Sequence, residues 1–261
     1  MIYQFCAKTD PGISRDNNED SVVFDEATHT AVLADGMGGY NAGEIASGMA
    51  TAFIKSELSR WLSEAGVGAK SREVRRAMEI CVDNANLSIF NSASSNAHYA
   101  GMGTTLVVGV FREDKLLTGH IGDSRCYRLR AGALDQITKD HSLLQEQIDA
   151  GLITPEQAAT SSIRNLVTRA LGVEELVLLE VNEYQVESGD IYLMCSDGLS
   201  DMVEDSVIAK IVAAETGLEQ KATQLIDAAN ANGGRDNISV LLVAVSEAAE
   251  KRGLIARLLG K

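Results

Sequence analysis

Acidic residues recur at the ends of apolar runs, each beside glycine or asparagine, and no other pattern constrains the fold as strongly. The set is Glu19-Asp20 in RDNNED, Asp35-Gly36 after AVLA, Asp123 in GDSR, Asp197-Gly198 after IYLMCS, and Asp236-Asn237 in GGRDN. A carboxylate at the end of a buried strand is costly unless it is paired or binds a cation. One Asp-Gly step is ordinary turn chemistry. Five sites in similar contexts suggest a meeting point whose mutual repulsion a hard divalent cation relieves. All-oxygen ligands favour Mg²⁺, Mn²⁺ or Ca²⁺ over Zn²⁺. The D-x-[DN]-x-[DN]-G ladder of an EF-hand is absent.

Around these acids, short β-type runs alternate with two blocks of helix. Ala31–Ala34 reads as a buried strand ending at Asp35-Gly36. From Gly43 the period becomes helical, with Ile45, Met49, Ala52 and Phe53 on one face as far as about Leu62. After the break at 66–69, Ser71 is a plausible N-cap, and Val74, Ala77, Met78, Cys81, Val82, Ala85 and Ile89 form the next stripe. Thr104–Phe111, Lys115–Ile121 and Cys126–Arg130 read as strands, and their short polar connections suit antiparallel neighbours. Residues 141–172 resemble an insertion with helical fragments at 143–150 and 155–159. Strands follow at 176–186 and 191–195, then helices at about 206–214 and over a face of Leu218, Ala222, Leu225, Ile226 and Ala229, and a last strand at 239–245. Each helix group must bury its stripe on a sheet. A two-sheet sandwich with helices outside is one economical arrangement.

Composition removes several functions. The chain has 261 residues and a net charge of −14, the wrong sign for a nucleic-acid partner. No apolar run reaches the ~18 residues of a membrane helix. The N-terminus lacks a basic segment followed by an apolar stretch, so a cytoplasmic location is expected. Cys6, Cys81, Cys126 and Cys195 are scattered without a CxxC and read as buried thiols. The Gly36–Gly43 cluster imitates a phosphate loop, but Glu44-Ile45 stands where Lys-Ser/Thr belongs. Its glycines better serve a close approach to a metal. Gly-x-Ser-x-Gly is absent, which argues against a serine hydrolase. Of the four histidines, only His141 in KDHS draws attention.

RDNNED (15–20), VLADGMGG (32–39), GMGTT (101–105), GDSR (122–125), KDHS (139–142), NLVTRALG (165–172), CSDGLSD (195–201) and GGRDNIS (233–239) together resemble the type 2C metal-dependent protein phosphatases in their compact bacterial form. The likeness spans about residues 1–246 in the family's order. It implies an α+β fold, a four-layer α-β-β-α sandwich of two antiparallel sheets flanked by antiparallel helix pairs. It implies a phosphatase that hydrolyses phosphoserine and phosphothreonine in proteins with water activated at a binuclear Mn²⁺ or Mg²⁺ site. By match of motif, Asp35 would bridge the ions, and Asp197 and Asp236 would hold the first. Glu19 and the Gly36 carbonyl would hold the second, and Asp20 would bond to the coordinated water. Asp123 with Asp197 would form a weaker third site, and Arg15 would grip the substrate phosphate. Residues 143–165 would be the variable flap. Eukaryotic members carry a His, proposed as general acid, where this chain has Met37.

The same resemblance implies phosphorylated proteins as partners, a bacterial Ser/Thr kinase and its substrates among them, and a monomer. A non-catalytic phosphopeptide-binding or scaffold module on the same fold is the alternative, but it predicts lost ligands and the acids are intact. Residues 247–261 form a short basic tail. Within it Leu254, Ile255, Leu258 and Leu259 share a helical face ringed by Lys251, Arg252, Arg257 and Lys261, suited to docking on a partner or an anionic membrane surface.

Overall fold

The computed structural model describes residues 1–38, 42–159 and 166–247. Two antiparallel sheets stack face to face. One runs β1–β11–β10–β7–β8, from Ile2–Asp10 (β1), Ile238–Ser246 (β11), Ile191–Cys195 (β10), Arg125–Arg130 (β7) and Ala133–Gln136 (β8). The other runs β2–β3–β5–β6–β9, from Asp20–Asp25 (β2), Thr30–Met37 (β3), Leu106–Arg112 (β5), Lys115–Ile121 (β6) and Glu180–Gln185 (β9); Gly103–Thr104 (β4) pairs with β3. This is the expected four-layer sandwich.

Alternation within the strands builds the layers. In β10, Tyr192 and Met194 face the space between the sheets with Phe111, Leu33, Val107 and Val243. Leu193 and Cys195 face the other way, onto the helices at Asp205–Ala213 (α6) and Leu218–Ala231 (α7). In β3, Ala31 and Leu33 point inward, while Val32 and Ala34 meet the helices at Ala42–Ala65 (α1) and Ser71–Ser95 (α2). Strands covered on both faces are apolar throughout, which is why β3, β10 and β11 read as continuous hydrophobic runs.

The α2 and α7 stripes lie where the periodicity places them, although Leu218 is only partly covered. The α1 stripe does not. The helix buries Ala46, Ser47, Ala50, Thr51, Ile54 and Leu58 against the sheet, Ile45, Met49 and Phe53 pack on the flank, and Ala52 is exposed. Small residues let α1 lie close to the sheet, and the large ones bracket it. Lys70, not Ser71, caps α2, with its N–H donating to Glu73 Oε2 at 2.8 Å. The strand expected at 104–111 breaks at Thr105, and the one expected at 176–186 covers only β9. Before β9, Val177 and Leu179 pack inward while Leu176 and Leu178 are exposed, so the segment alternates without belonging to a ladder. In the insertion, Leu143–Asp149 (α3) and Pro155–Ala159 (α4) are helices. Residues 150–154 of the expected flap join these helices through turns, while its residues 160–165 and the basic tail from 248 onward lie outside the described residues.

Candidate metal centre

The acids of distant segments converge at one end of the sandwich. Asp20 opens β2 and faces Asp35 of β3 directly across the ladder. Asp197 opens the short helix Asp197–Ser200 (α5) after β10, Asp236 precedes β11, and Asp123 sits in the turn between β6 and β7.

Backbone and hydroxyl groups fix each position. The Asp35 N–H donates to Thr105 Oγ1 at 3.0 Å, and the Asp35 carbonyl accepts from the Thr105 N–H and Thr104 Oγ1, each at 2.8 Å. The break at Thr105 therefore holds Asp35 in place. Ser196 Oγ donates to Asp20 Oδ2 at 2.7 Å and accepts from the Ser239 N–H at 2.9 Å. Asn237 ties three segments together. Its Oδ1 accepts the Glu19 N–H at 2.8 Å, and its Nδ2 donates to the Pro11 and Asn17 carbonyls at 3.0 and 2.8 Å. The Glu19 carbonyl accepts from the Gly36 N–H at 3.1 Å and from Ser47 Oγ at 2.6 Å. Gly43 is needed for clearance, because a Cβ there would strike the Glu19 carboxylate. In the sequence, Asn237 and Ser196 are simply neighbours of acids, and Thr105 carries no mark of its role. The motif adjacency in RDN and CSD was the available signal.

Electrostatics reports the crowding. Burial, then the charges of Asp20, Asp197, Asp123 and Asp236, hold the Asp35 carboxyl well above its ordinary range. Burial, then Asp123, Asp201, Asp236 and Asp20, does the same to Asp197. Burial pushes Asp20 up to about 6 despite the Ser196 hydroxyl, and burial with Asp140 pushes Asp123 up to about 6. Asp20 Oδ1 is buried without a hydrogen-bond partner. Arg15 Nη2 donates to Asp236 Oδ2 at 2.8 Å, putting the guanidinium at the rim of the basin. The arginine of GDSR does not join it; Arg125 makes a two-pronged pair with Asp140 at 2.7–3.1 Å.

Mutually repelling carboxylates, an orphaned buried oxygen and an oxygen-only donor set fit hard divalent cations. A second cluster of His120, His141 and Glu180 brings one possible ligand atom from each within 4.8 Å of the others, and its His141 Nδ1 accepts from the N–H of Gly122, the residue before Asp123.

The family described as Protein phosphatase 2C matches residues 13–242. The chain is 36% identical over 239 residues to a serine/threonine phosphatase, Stp, of Listeria monocytogenes, covering 90% of this chain and 93% of that one. It superposes on the serine/threonine phosphatase PstP/Ppp of Mycobacterium tuberculosis with a TM-score of 0.85 at 35% identity, covering 95% of this chain and 100% of that chain. A catalytic domain of PstP solved in complex with two manganese ions aligns with a TM-score of 0.81 at 36% identity, covering 94% of this chain and 99% of that chain.

Proposed function

Because the chain belongs to the protein phosphatase 2C family, we propose that its converging acids form the metal-binding active site and that residues 1–246 make up the catalytic domain. The protein is a metal-dependent serine/threonine protein phosphatase. The observation that carries the site assignment is the group of Asp20, Asp35, Asp123 and Asp197, all with raised carboxyls, at one end of the sandwich.

Asp35 would bridge two ions, with Asp197 and Asp236 on the first and Glu19 and the Gly36 carbonyl on the second. Asp123 and Asp197 would hold a weaker third. When bound, Mn²⁺ or Mg²⁺ supplies Lewis acidity and makes water a competent nucleophile near neutral pH. The protein's own groups do the rest. Asp20 Oδ1, buried and unpartnered, accepts a proton from the attacking water, while the Ser196 hydroxyl on Oδ2 keeps the carboxylate oriented. The Arg15 guanidinium binds the substrate phosphate through paired N–H donors. Met37 has no proton to give, so the departing serine or threonine oxygen takes its proton from another donor, water being one candidate.

The expected result is Mn²⁺-dependent release of phosphate from a phosphothreonine peptide, abolished by EDTA. Undiminished turnover by metal-stripped protein overturns this reading, and so does failure to hydrolyse with Mn²⁺ bound, the outcome that would favour a binding module. Arg15→Ala is expected to raise KM for the peptide about 10- to 100-fold, the size of a lost charge-assisted bond, with a smaller effect on kcat. Unchanged steady-state constants would remove Arg15 from the phosphate site.

Phosphoproteins are the substrates, and a Ser/Thr kinase with its targets is the natural opposing partner. Among the described residues no helix is long and apolar enough to cross a membrane. A cytoplasmic monomer whose flap (143–165) selects substrates completes the proposal.

A further inference from the structure

We propose that His141 is a positioning residue that fixes the turn carrying Asp123, and so tunes the weakest metal step; the inference rests on Asp123 being a metal ligand. The side chain and backbone of His141 grip one glycine from two directions. The Gly122 N–H donates to His141 Nδ1 at 3.2 Å, and the His141 N–H donates to the Gly122 carbonyl at 2.9 Å. Gly122 has φ of +101°, and a Cβ there would lie 2.7 Å from Thr105 Cγ2, so the turn has little room to relax. Asp123 follows immediately, and Ser124 Oγ is 2.7 Å from Thr105 Oγ1, the atom that accepts the Asp35 N–H.

The other end of His141 is anchored too. Its carbonyl accepts the Thr168 N–H at 2.8 Å, and Ser142 bridges to Val167, where the chain returns from the insertion. Its ring stacks on His120, with centroids 4.6 Å apart and planes 12° from parallel.

The hydrogen-bond roles argue for a clamp and against a fourth metal site. Nδ1 accepts from Gly122, so in the neutral ring Nε2 carries the proton; its hydrogen-bond partner is then Glu180 Oε2 at 3.3 Å and not Arg169 Nη1 at 3.4 Å, which can only donate. A protonated Nε2 cannot ligate a metal, and the Arg169 guanidinium, 3.4 Å from that nitrogen, would repel one. Burial and the neighbouring His120 favour the neutral ring that this arrangement requires.

Two substitutions divide the roles of the ring. His141→Asn keeps an acceptor near the place of Nδ1 and loses the reach to Glu180. His141→Gln keeps that reach and loses the acceptor facing Gly122. Calorimetric titration of the full chain with Mn²⁺, with melting temperature recorded alongside, reads the outcome. His141→Gln is expected to weaken the weakest Mn²⁺ step about tenfold, the scale of an unsatisfied buried donor, and to leave the tighter steps unchanged. His141→Asn is expected to restore it. Equal effects of the two variants, or a uniform weakening of every step with a lower melting temperature, would overturn the proposal. Asp123→Asn separates the two layers of argument. If it leaves the weak step intact, the ligand assignment falls and this inference falls with it. If it removes the step while His141→Gln does not weaken it, only the role of His141 is refuted.

Discussion

Replacing Asp35 with asparagine is expected to lower phosphatase activity by about 10³-fold or more, comparable to removing a principal electrostatic stabiliser, while making the metal-free protein more stable. Both effects have one cause. Asp35 is buried among Asp20, Asp197, Asp123 and Asp236, and burial first and those charges next raise its proton affinity. Without cations that charge opposes folding, and the amide removes it at nearly constant volume. The Asp35 backbone is held by Thr104 and Thr105 regardless of the side chain, so the strand should survive. Phosphopeptide kinetics with saturating Mn²⁺ and melting curves in EDTA measure the two halves. Retained activity would remove Asp35 from the centre. A lower melting temperature in EDTA would contradict the electrostatic account.

Mn²⁺ is expected to raise the melting temperature, and more so as pH rises from 5 to 7.5. An ion at a hundred times its Kd adds about 2.7 kcal/mol, or roughly 5–11 °C for a chain of this size. The pH dependence follows from the sign of the shifts. Asp20 and Asp123 are pushed up to about 6, and Asp35 and Asp197 also lie well above the ordinary carboxylate value. The metal-free folded state therefore binds more protons than the unfolded chain. These groups favour folding below about pH 4, the unfolded range, and this contribution is lost as pH climbs through their folded values. His29 and His141 are shifted down by burial and act in the opposite direction near neutrality. Taking the difference between metal-loaded and metal-free curves largely cancels them. A difference that stays flat or narrows with pH would refute the argument.

How much was legible in the sequence depended on burial. The strands covered on both faces, β3, β5, β6, β10 and β11, announced themselves as apolar runs, and the α2 and α7 stripes kept a clean period. The strands that escaped notice, β1, β2 and β8, all lie at sheet edges. β2 is only partly covered along its length and β8 is largely exposed, so neither shows a firm pattern. The α1 face was misjudged because close packing selects small residues there, and a hydrophobicity pattern weights large ones. The acids of the centre were legible because charge at the end of an apolar strand is conspicuous. Their supports were not, because Ser196, Thr105 and Asn237 act through bonds to residues far away in the chain. His141 stands out within KDHS, but its role does not, since Gly122, Thr168 and Glu180 meet it only after folding.

The centre is assembled from both ends of the chain. Glu19 and Asp236 meet through Asn237, and β1 lies beside β11 along its whole length, from Ile2 opposite Ser246 to Asp10 opposite Ile238. A polypeptide still being made on the ribosome therefore lacks the assembled basin until Asp236 and the strand after it have emerged. Under the proposed site, a product stopped short of residue 236 carries only part of the acid set and cannot strip phosphate from its surroundings.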